Sequence, residues 1–273
     1  MVPPIVSQGV FMRQIALVFA SLALPVALHA ADTEANNYWL RVQANAWMPA
    51  LQGEARFQSN GSPADNIDME DLNLTDAEVV PMIDVYIKPP IFFIPNFHFG
   101  VFTFAVDETA TLSSSVTFGG TTFTGGTTVT SEVDLADAYA EMFFMPLDLD
   151  LVGLGFGLGV HGLQTDISID DGTVREKFAT DVIFPVISLH AHLNLLDSLG
   201  LEVEANGIDA EVGGIDGSFY DVRAQLSWRP INWVGINAGY RAMRLDAAIE
   251  EDQDEASFDI TLSGPYAGLL LQF

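Results

Sequence analysis

The chain closes on Gly264-Pro265-Tyr266-Ala267-Gly268-Leu269-Leu270-Leu271-Gln272-Phe273, with apolar groups at Ala267, Leu269 and Leu271 and a bare aromatic at the end. Chain termini usually fray into water, so an apolar aromatic there asks for an apolar surrounding. A strand with one face in lipid provides it. Nearly half of the residues are hydrophobic (49%), yet no stretch after residue 31 offers the ~20 consecutive apolar residues that a membrane helix needs. Lipid leaves backbone polar groups unhydrated, so a spanning chain without helices must close its strands into a barrel.

Composition narrows the remaining classes. The formal net charge is -27, with 10 Lys and Arg against 37 Asp and Glu, which argues against nucleic acid as a partner because phosphate binding needs clustered basic residues. The same balance argues against a polybasic contact with anionic lipid. The chain has no Cys, which excludes a disulfide scaffold, a thiolate zinc site, a cysteine nucleophile and an acylated lipoprotein anchor.

Residues 1–30 read as a secretory signal peptide. Met12-Arg13-Gln14 is the positive start, Ile15 to Leu28 the apolar region broken by Pro25, and Ala30 the small residue at the cleavage point. Met12 is the expected initiator and 31–273 the mature barrel domain.

Alternation then recurs along the mature chain in segments of about ten residues, as barrel strands require. From Tyr38 to Met48, Tyr38, Leu40, Val42, Ala44, Ala46 and Met48 share one face; Trp39, Arg41, Gln43, Asn45 and Trp47 share the other. In Leu135 to Met145 an outward row of Ala138, Ala140, Met142 and Phe144 opposes Asp137, Tyr139 and Glu141. In Leu151 to Leu163 a row of Val152, Leu154, Phe156, Leu158 and Val160 opposes Gly153, Gly155, Gly157, Gly159 and His161. Soluble strand interiors avoid that much Gly; a barrel can use it to make room for large side chains opposite, or for water. Further strands are expected at 79–88, 97–107, 178–194, 199–210, 219–229, 232–245 and 258–273, the last with a bulge near Gly264-Pro265. Polar or acidic segments at 49–78, 110–131, 170–177, 211–216 and 247–256 read as external loops, with short, Pro-marked turns between them. The fold expected is an all-β, antiparallel up-and-down transmembrane barrel of about ten strands, eight being the alternative.

Several segments carry a resemblance. The terminal segment is similar to the C-terminal signal of Gram-negative outer-membrane β-barrels, in which a terminal Phe, here Phe273, is read by the barrel-assembly machinery. Lys88-Pro89-Pro90 with Pro95-Asn96, Leu149-Asp150-Leu151 running into Gly153-Leu154-Gly155, and Gly239-Tyr240-Arg241 resemble a family of small, largely uncharacterised, porin-like outer-membrane barrels. The resemblance implies the fold, the bacterial outer membrane as location, and lipid and lipopolysaccharide as surroundings. It supplies no catalytic residues.

The alternation places Arg41, Glu141, His190, His192, Glu202, Glu204, Asp221, Arg223, Arg229 and Arg241 inward. Intramembrane ions pair with each other or line water, so these residues form either a salt-bridged plug or the wall of a narrow pore. His190 and His192 share a face with Ser188, and Glu202 and Glu204 share one on the next strand. Such a cluster can hold a metal or run acid–base chemistry, whereas a hydrogen-bonded polar lumen is the plainer reading. His161 is placed near the outer rim. Asp65, Asp68, Glu70 and Asp71, and the run 250–255, suit loose divalent cations or solvated acidic loops. The expectation is therefore a non-enzymatic barrel without a cofactor: structural, or a narrow passive pore for small cationic or neutral solutes. The alternatives are a barrel whose loops 49–78 and 110–131 bind a ligand or surface partner, and a lipid-modifying enzyme using His190, His192 or Ser188.

Overall fold

A computed structural model describes residues 38–91, 93–212, 215–251 and 254–273; the segment 1–30 read as a signal peptide and part of the acidic run 250–255 lie outside them. Fourteen strands follow in chain order: β1 (Leu40–Trp47), β2 (Ala50–Gln58), β3 (Ile67–Asp68), β4 (Val80–Ile87), β5 (Asn96–Thr111), β6 (Val116–Phe118), β7 (Thr121–Phe123), β8 (Thr128–Asp148), β9 (Val152–Asp170), β10 (Arg175–Leu196), β11 (Leu199–Val212), β12 (Ile215–Ile231), β13 (Val234–Glu251) and β14 (Asp254–Gln272). They pair antiparallel in the order β1-β4-β5-β8-β9-β10-β11-β12-β13-β14, and β1 pairs with β14 to close the ring. β1 lies against the lower half of β14 (Ala44↔Leu269) and β2 continues in the same sense along its upper half (Leu51↔Leu262). The two are one barrel strand interrupted at Met48-Pro49, which brings the wall to ten. At the seam, the Phe273 amide donates to Leu40 O at 2.8 Å, and the Trp39 amide donates back to Phe273 O at 2.8 Å.

Four sequence expectations change here. Segment 49–78 is not all loop: 50–58 is the continuation of the first barrel strand. The segments 211–216 and 247–256 are largely strand, because β11 to β14 run far past the membrane. No bulge interrupts β14, whose register against β13 is continuous through Arg241↔Gly264 and Tyr240↔Pro265. The last correction is at the periplasmic end, where Tyr38 turns inward under the Arg41 guanidinium (4.0 Å to the ring) and Trp39 turns out.

The apparent change of phase in β14 has another cause: the same row changes environment. Its inward row runs unbroken as Phe258, Ile260, Leu262, Gly264, Tyr266, Gly268, Leu270 and Gln272. The four-strand face β5-β8-β9-β10 shows the change on the outward side. Its registered rows read Phe97–Met142–Leu158–Ile187, then Phe99–Ala140–Val160–Pro185 and Val101–Ala138–Gly162–Ile183. Above them come Thr103–Ala136–Gln164–Asp181, Ala105–Asp134–Asp166–Ala179 and Asp107–Glu132–Ser168–Lys177. Outward residues are thus apolar up to Gly162 and polar from Gln164. On a strand tilted by about 40°, Val152 to Val160 and the adjoining rim rise roughly 20–25 Å, the height of an outer-membrane lipid belt. Trp39, Trp228 and Trp233 stand exposed at the periplasmic edge of this belt, as interfacial aromatics do.

Above the belt the inward side is apolar. Leu51, Val106, Val133, Leu135, Leu163, Ile167, Ile169, Leu245, Phe258 and Ile260 are all buried. The segment 112–127 folds over the mouth as the hairpin β6–β7, with Phe118 and Phe123 driven into this core. Gly119 and Gly120 form its turn with φ of 61° and 87°, the two positive angles that a twisted two-residue hairpin turn demands. The hairpin is tied down by Gly119 N donating to Phe57 O (2.9 Å) and Thr121 Oγ1 donating to Glu176 Oε1 (2.5 Å). The outer half is a capped β-domain with a dry core.

Candidate functional site

Inside the belt the lumen is a stack of ion pairs. Arg41 on β1 donates through Nη1 to both Glu202 oxygens (2.5 and 2.7 Å), and Gln225 Nε2 adds a bond to Oε2 (2.7 Å). One layer up, the Asp84 carboxylate collects four strands. Its Oδ1 accepts from Tyr139 Oη (2.5 Å) and Arg223 Nη1 (2.8 Å) and meets His98 Nε2 at 3.0 Å; its Oδ2 accepts from Asn45 Nδ2 (3.3 Å). Arg223 also faces Glu204 Oε2 at 3.3 Å, and His190 Nε2 lies 3.1 Å from Glu141 Oε2. In the third layer Arg241 holds Asp221 by two bonds of 2.9 Å, while His161 Nδ1 meets Asp137 Oδ2 at 3.0 Å. Paired donors on opposite walls let ions persist in a medium where a lone charge would cost several kcal/mol.

Arg241 is the joint between the two halves. Its guanidinium lies 4.7 Å from the Phe102 ring centroid and 5.2 Å from those of Trp47 and Tyr139. Cationic below and aromatic above, it lets the ionic stack end against the apolar core without an exposed charge.

All ten residues read as lumen-facing are buried inside the barrel. Arg41 and Glu202 form one pair and Asp221 and Arg241 another, while Arg223, Glu204, Glu141 and His190 meet around His98. His192 stands apart at the rim, 3.6 Å from Asp148. Arg229 is buried there too. The sequence reading missed the centre of the stack, Asp84 and His98. The signal was present: each is a single polar residue in an apolar setting, Asp84 between Met82 and Tyr86 on its row, and His98 between Phe97 and Phe99. His161 is not at the outer rim but mid-barrel, beneath the apolar core.

The glycine row is not spare volume. A Cβ on Gly153 would fall 2.1 Å from His192 Cε1, and one on Gly157 2.6 Å from Phe143 Cβ. With β9 bare, Phe143 of β8 and His190 of β10 stack across it with ring centroids 3.8 Å apart. Asp84, His98, His161 and Arg241 have no exposed surface at all (0%), so side chains fill the lumen around them. Ser188 faces the lumen, fully buried, and among the described residues its hydroxyl makes no hydrogen bond, so no serine–histidine pair forms. The described residues hold no group of three or more His, Asp or Glu side chains arranged for a metal. In the outer loops Asp65 accepts from Thr117 N on β6 (2.8 Å), tying the loop to the capping hairpin, and Asp68 accepts from Glu70 N (2.9 Å) within its own turn.

A vestibule of about 50 Å³ opens at the periplasmic end, lined by Tyr38, Tyr86, Asn96, His190, Glu202 and Glu204 among others.

No family model and no curated protein matches this chain. Among solved structures, the outer membrane protease OmpT from Escherichia coli is similar at 10% identity, covering 89% of this chain and 100% of that one, with a TM-score of 0.53. The transport unit of the autotransporter AIDA-I from Escherichia coli (9% identity, 97% and 98% covered, TM-score 0.37) and the Pseudomonas putida toluene transporter TodX (7%, 86% and 89%, 0.29) follow at lower similarity. The fold is that of bacterial outer-membrane β-barrels, and the outer membrane is where a belt of this height and closure resides. The expectation of a non-enzymatic chain is corrected by the first of these: the solved barrel that this chain follows over that barrel's whole length is a protease. An architecture that houses catalysis gives no ground for excluding it.

Proposed function

We propose that this protein acts at the cell surface through its outer β-domain, as a membrane-anchored binding protein for a positively charged partner. The observation that carries the reading is the pair of fillings in the lumen, a buried ionic stack and an apolar core capped by β6–β7. With the interior filled, the surface outside the belt is what the barrel presents. The four basic residues there, Arg56, Arg175, Lys177 and Arg244, already face Glu255, Glu132, Asp166 and Asp259 at 3.7, 2.5, 2.9 and 3.1 Å. Asp134, Asp170, Asp171 and Asp246 stand on the same surface. Excess negative charge of this kind steers cations and repels anions. Burial, Glu132 and Asp166 together raise the Asp134 carboxyl above its ordinary value.

The test pairs two measurements on purified protein in planar bilayers and in liposomes. The bilayer stays electrically silent, and the liposomes bind a polylysine-coated surface but not a dextran one, with binding lost as salt shortens the Debye length to a few ångströms. Stable conductance steps from correctly folded protein would overturn the reading in favour of a narrow pore for small cationic or neutral solutes.

A further inference from the structure

The periplasmic turns are not alike. The connections 149–151, 197–198 and 232–233 are short, and each carries an Asp or an Asn. The connection 88–95 between β4 and β5 is longer and reads Lys-Pro-Pro-Ile-Phe-Phe-Ile-Pro. After Lys88 no side chain in it can make a hydrogen bond. Ile91 is 43% exposed and Phe93 78%, and no large hydrophobic side chain among the described residues is more exposed than Phe93. Standing in water, this turn would be an apolar patch with nothing to shield it.

The backbone is matched to an apolar surrounding as well. Lipid cannot hydrate a main-chain N–H, so a turn lying in it must pair its donors or lack them. Pro89, Pro90 and Pro95 have no N–H to leave unpaired. The Lys88 amide donates to Trp39 O and the Ile94 amide to Ile91 O, both at 2.9 Å. Five of the eight positions thus offer no free donor, three by deletion and two by pairing.

Neighbouring strands fix the depth of the turn. β5 begins at Asn96, opposite Phe143, but β8 runs on to Asp148, whose Oδ2 lies 3.0 Å from Lys88 Nζ. The turn therefore lies beside the stretch 144–148. There Phe144 and Leu147 face outward, in register with Phe156 and Leu154 of the lipid-facing row. On its other flank the chain enters the belt at once through the outward Phe97 and Phe99. The apolar face of the turn is thus continuous with the belt.

We propose that the β4–β5 turn is a lipid anchor, with Ile91 and Phe93 lying among the acyl chains of the inner leaflet. Lipid is the occupant, rather than a periplasmic protein, because the face continues the belt and because its donors are removed, which a partner docking from water does not require. The proposal is independent of what the outer β-domain binds.

The test uses single cysteines in a chain that has none. Phe93→Cys and Ile91→Cys are compared with Thr173→Cys, which is exposed in an outer turn. Each is labelled with an environment-sensitive fluorophore and reconstituted in phosphatidylcholine vesicles, and heat-modifiable migration on gels establishes that it is folded. Quenching is read with spin-labelled acyl chains and, separately, with iodide on both sides of the membrane. Iodide does not enter hydrocarbon, so its quenching constant at 91 and 93 is expected to be at least about five-fold below that at 173. The spin-labelled chains are expected to quench 91 and 93 and to leave 173 unchanged. Iodide quenching as strong at 91 and 93 as at 173, without quenching by lipid, would overturn the proposal and make the turn a surface for a periplasmic protein. Protection from iodide without quenching by lipid would overturn it in favour of contact between copies of the chain. Each position decides alone should the other variant fail to fold.

Discussion

In the lower half of β9, Val152, Leu154, Phe156, Leu158 and Val160 look outward while glycines and His161 look inward. In its upper half Gln164, Asp166 and Asp170 look outward while Leu163, Ile167 and Ile169 look inward. Register and period are the same, and only the sign differs. The lower half is solvated by lipid and fills its lumen with ion pairs. The upper half is solvated by water and fills its lumen with hydrocarbon. Stability therefore has two origins along one strand: fixed hydrogen-bonded charges below, and burial of apolar area above. β14 shows the same reversal.

The comparison breaks most visibly where charge is removed. Arg241→Leu removes both hydrogen bonds that Asp221 receives from it, leaving that buried carboxylate with only Arg223 at 3.8 Å among the described residues, and is expected to cost about 3–5 kcal/mol. Arg244→Leu, three residues on and outside the belt, deletes an exposed pair and costs under about 1 kcal/mol. Urea unfolding in detergent, followed by tryptophan emission, measures both.

Adding charge sharpens the same contrast on the outward face. Leu158→Arg places a cation in the belt and costs about 2–4 kcal/mol, whereas Gln164→Arg, above the boundary, stays within about 0.5 kcal/mol of the parent. Equal costs would remove the boundary.

Gly157→Val tests how full the lower half is. Its Cβ would fall on Phe143 and on Met142 O, and overpacking of this kind costs about 1–3 kcal/mol. A neutral result would mean that the glycine row is spare space.

The smallest effect belongs to the outer turn at 171–174. There the amides of Val174 and Thr173 donate to Asp171 at 2.8 Å and hold its carboxyl below the ordinary value. A group whose value is depressed on folding contributes fully above its unfolded pKa, about 3.9. That contribution is lost as pH falls through the folded value. Amide-exchange protection at Thr173 and Val174 is expected to weaken below about pH 4, and Asp171→Asn to lose that pH dependence.

The wall of the barrel was legible because alternation is local. The greasy row 152–160 and the inward placement of Arg41, Arg223 and Arg241 follow from period two; the strand count also needed the polar loops between segments, and the closure at Phe273 came from the likeness of the terminal segment to an assembly signal. What misled was reading polarity as loop: 50–58 and the upper ends of β11 to β14 are polar outward because water, not lipid, surrounds them. The bulge expected at Gly264-Pro265 was the reversal itself, since period two records which residues share a face but not which solvent that face meets. The centre of the stack escaped for a different reason. Asp84, His98 and Tyr139 come from three strands, and their convergence depends on barrel shear, which no single segment encodes.

The most direct test uses the absence of Cys. Single cysteines are placed at successive outward positions of β9 (154, 156, 158, 160, 162, 164, 166 and 168), spin-labelled, and compared in bilayers for collision with oxygen and with a water-soluble nickel complex. Positions 154 to 160 are expected to be oxygen-accessible and nickel-protected, with the two profiles crossing between 162 and 164 and nickel access prevailing above. An oxygen-dominated profile that continued to 168, or no crossing at all, would contradict the account of one set of strands carrying two opposite interiors.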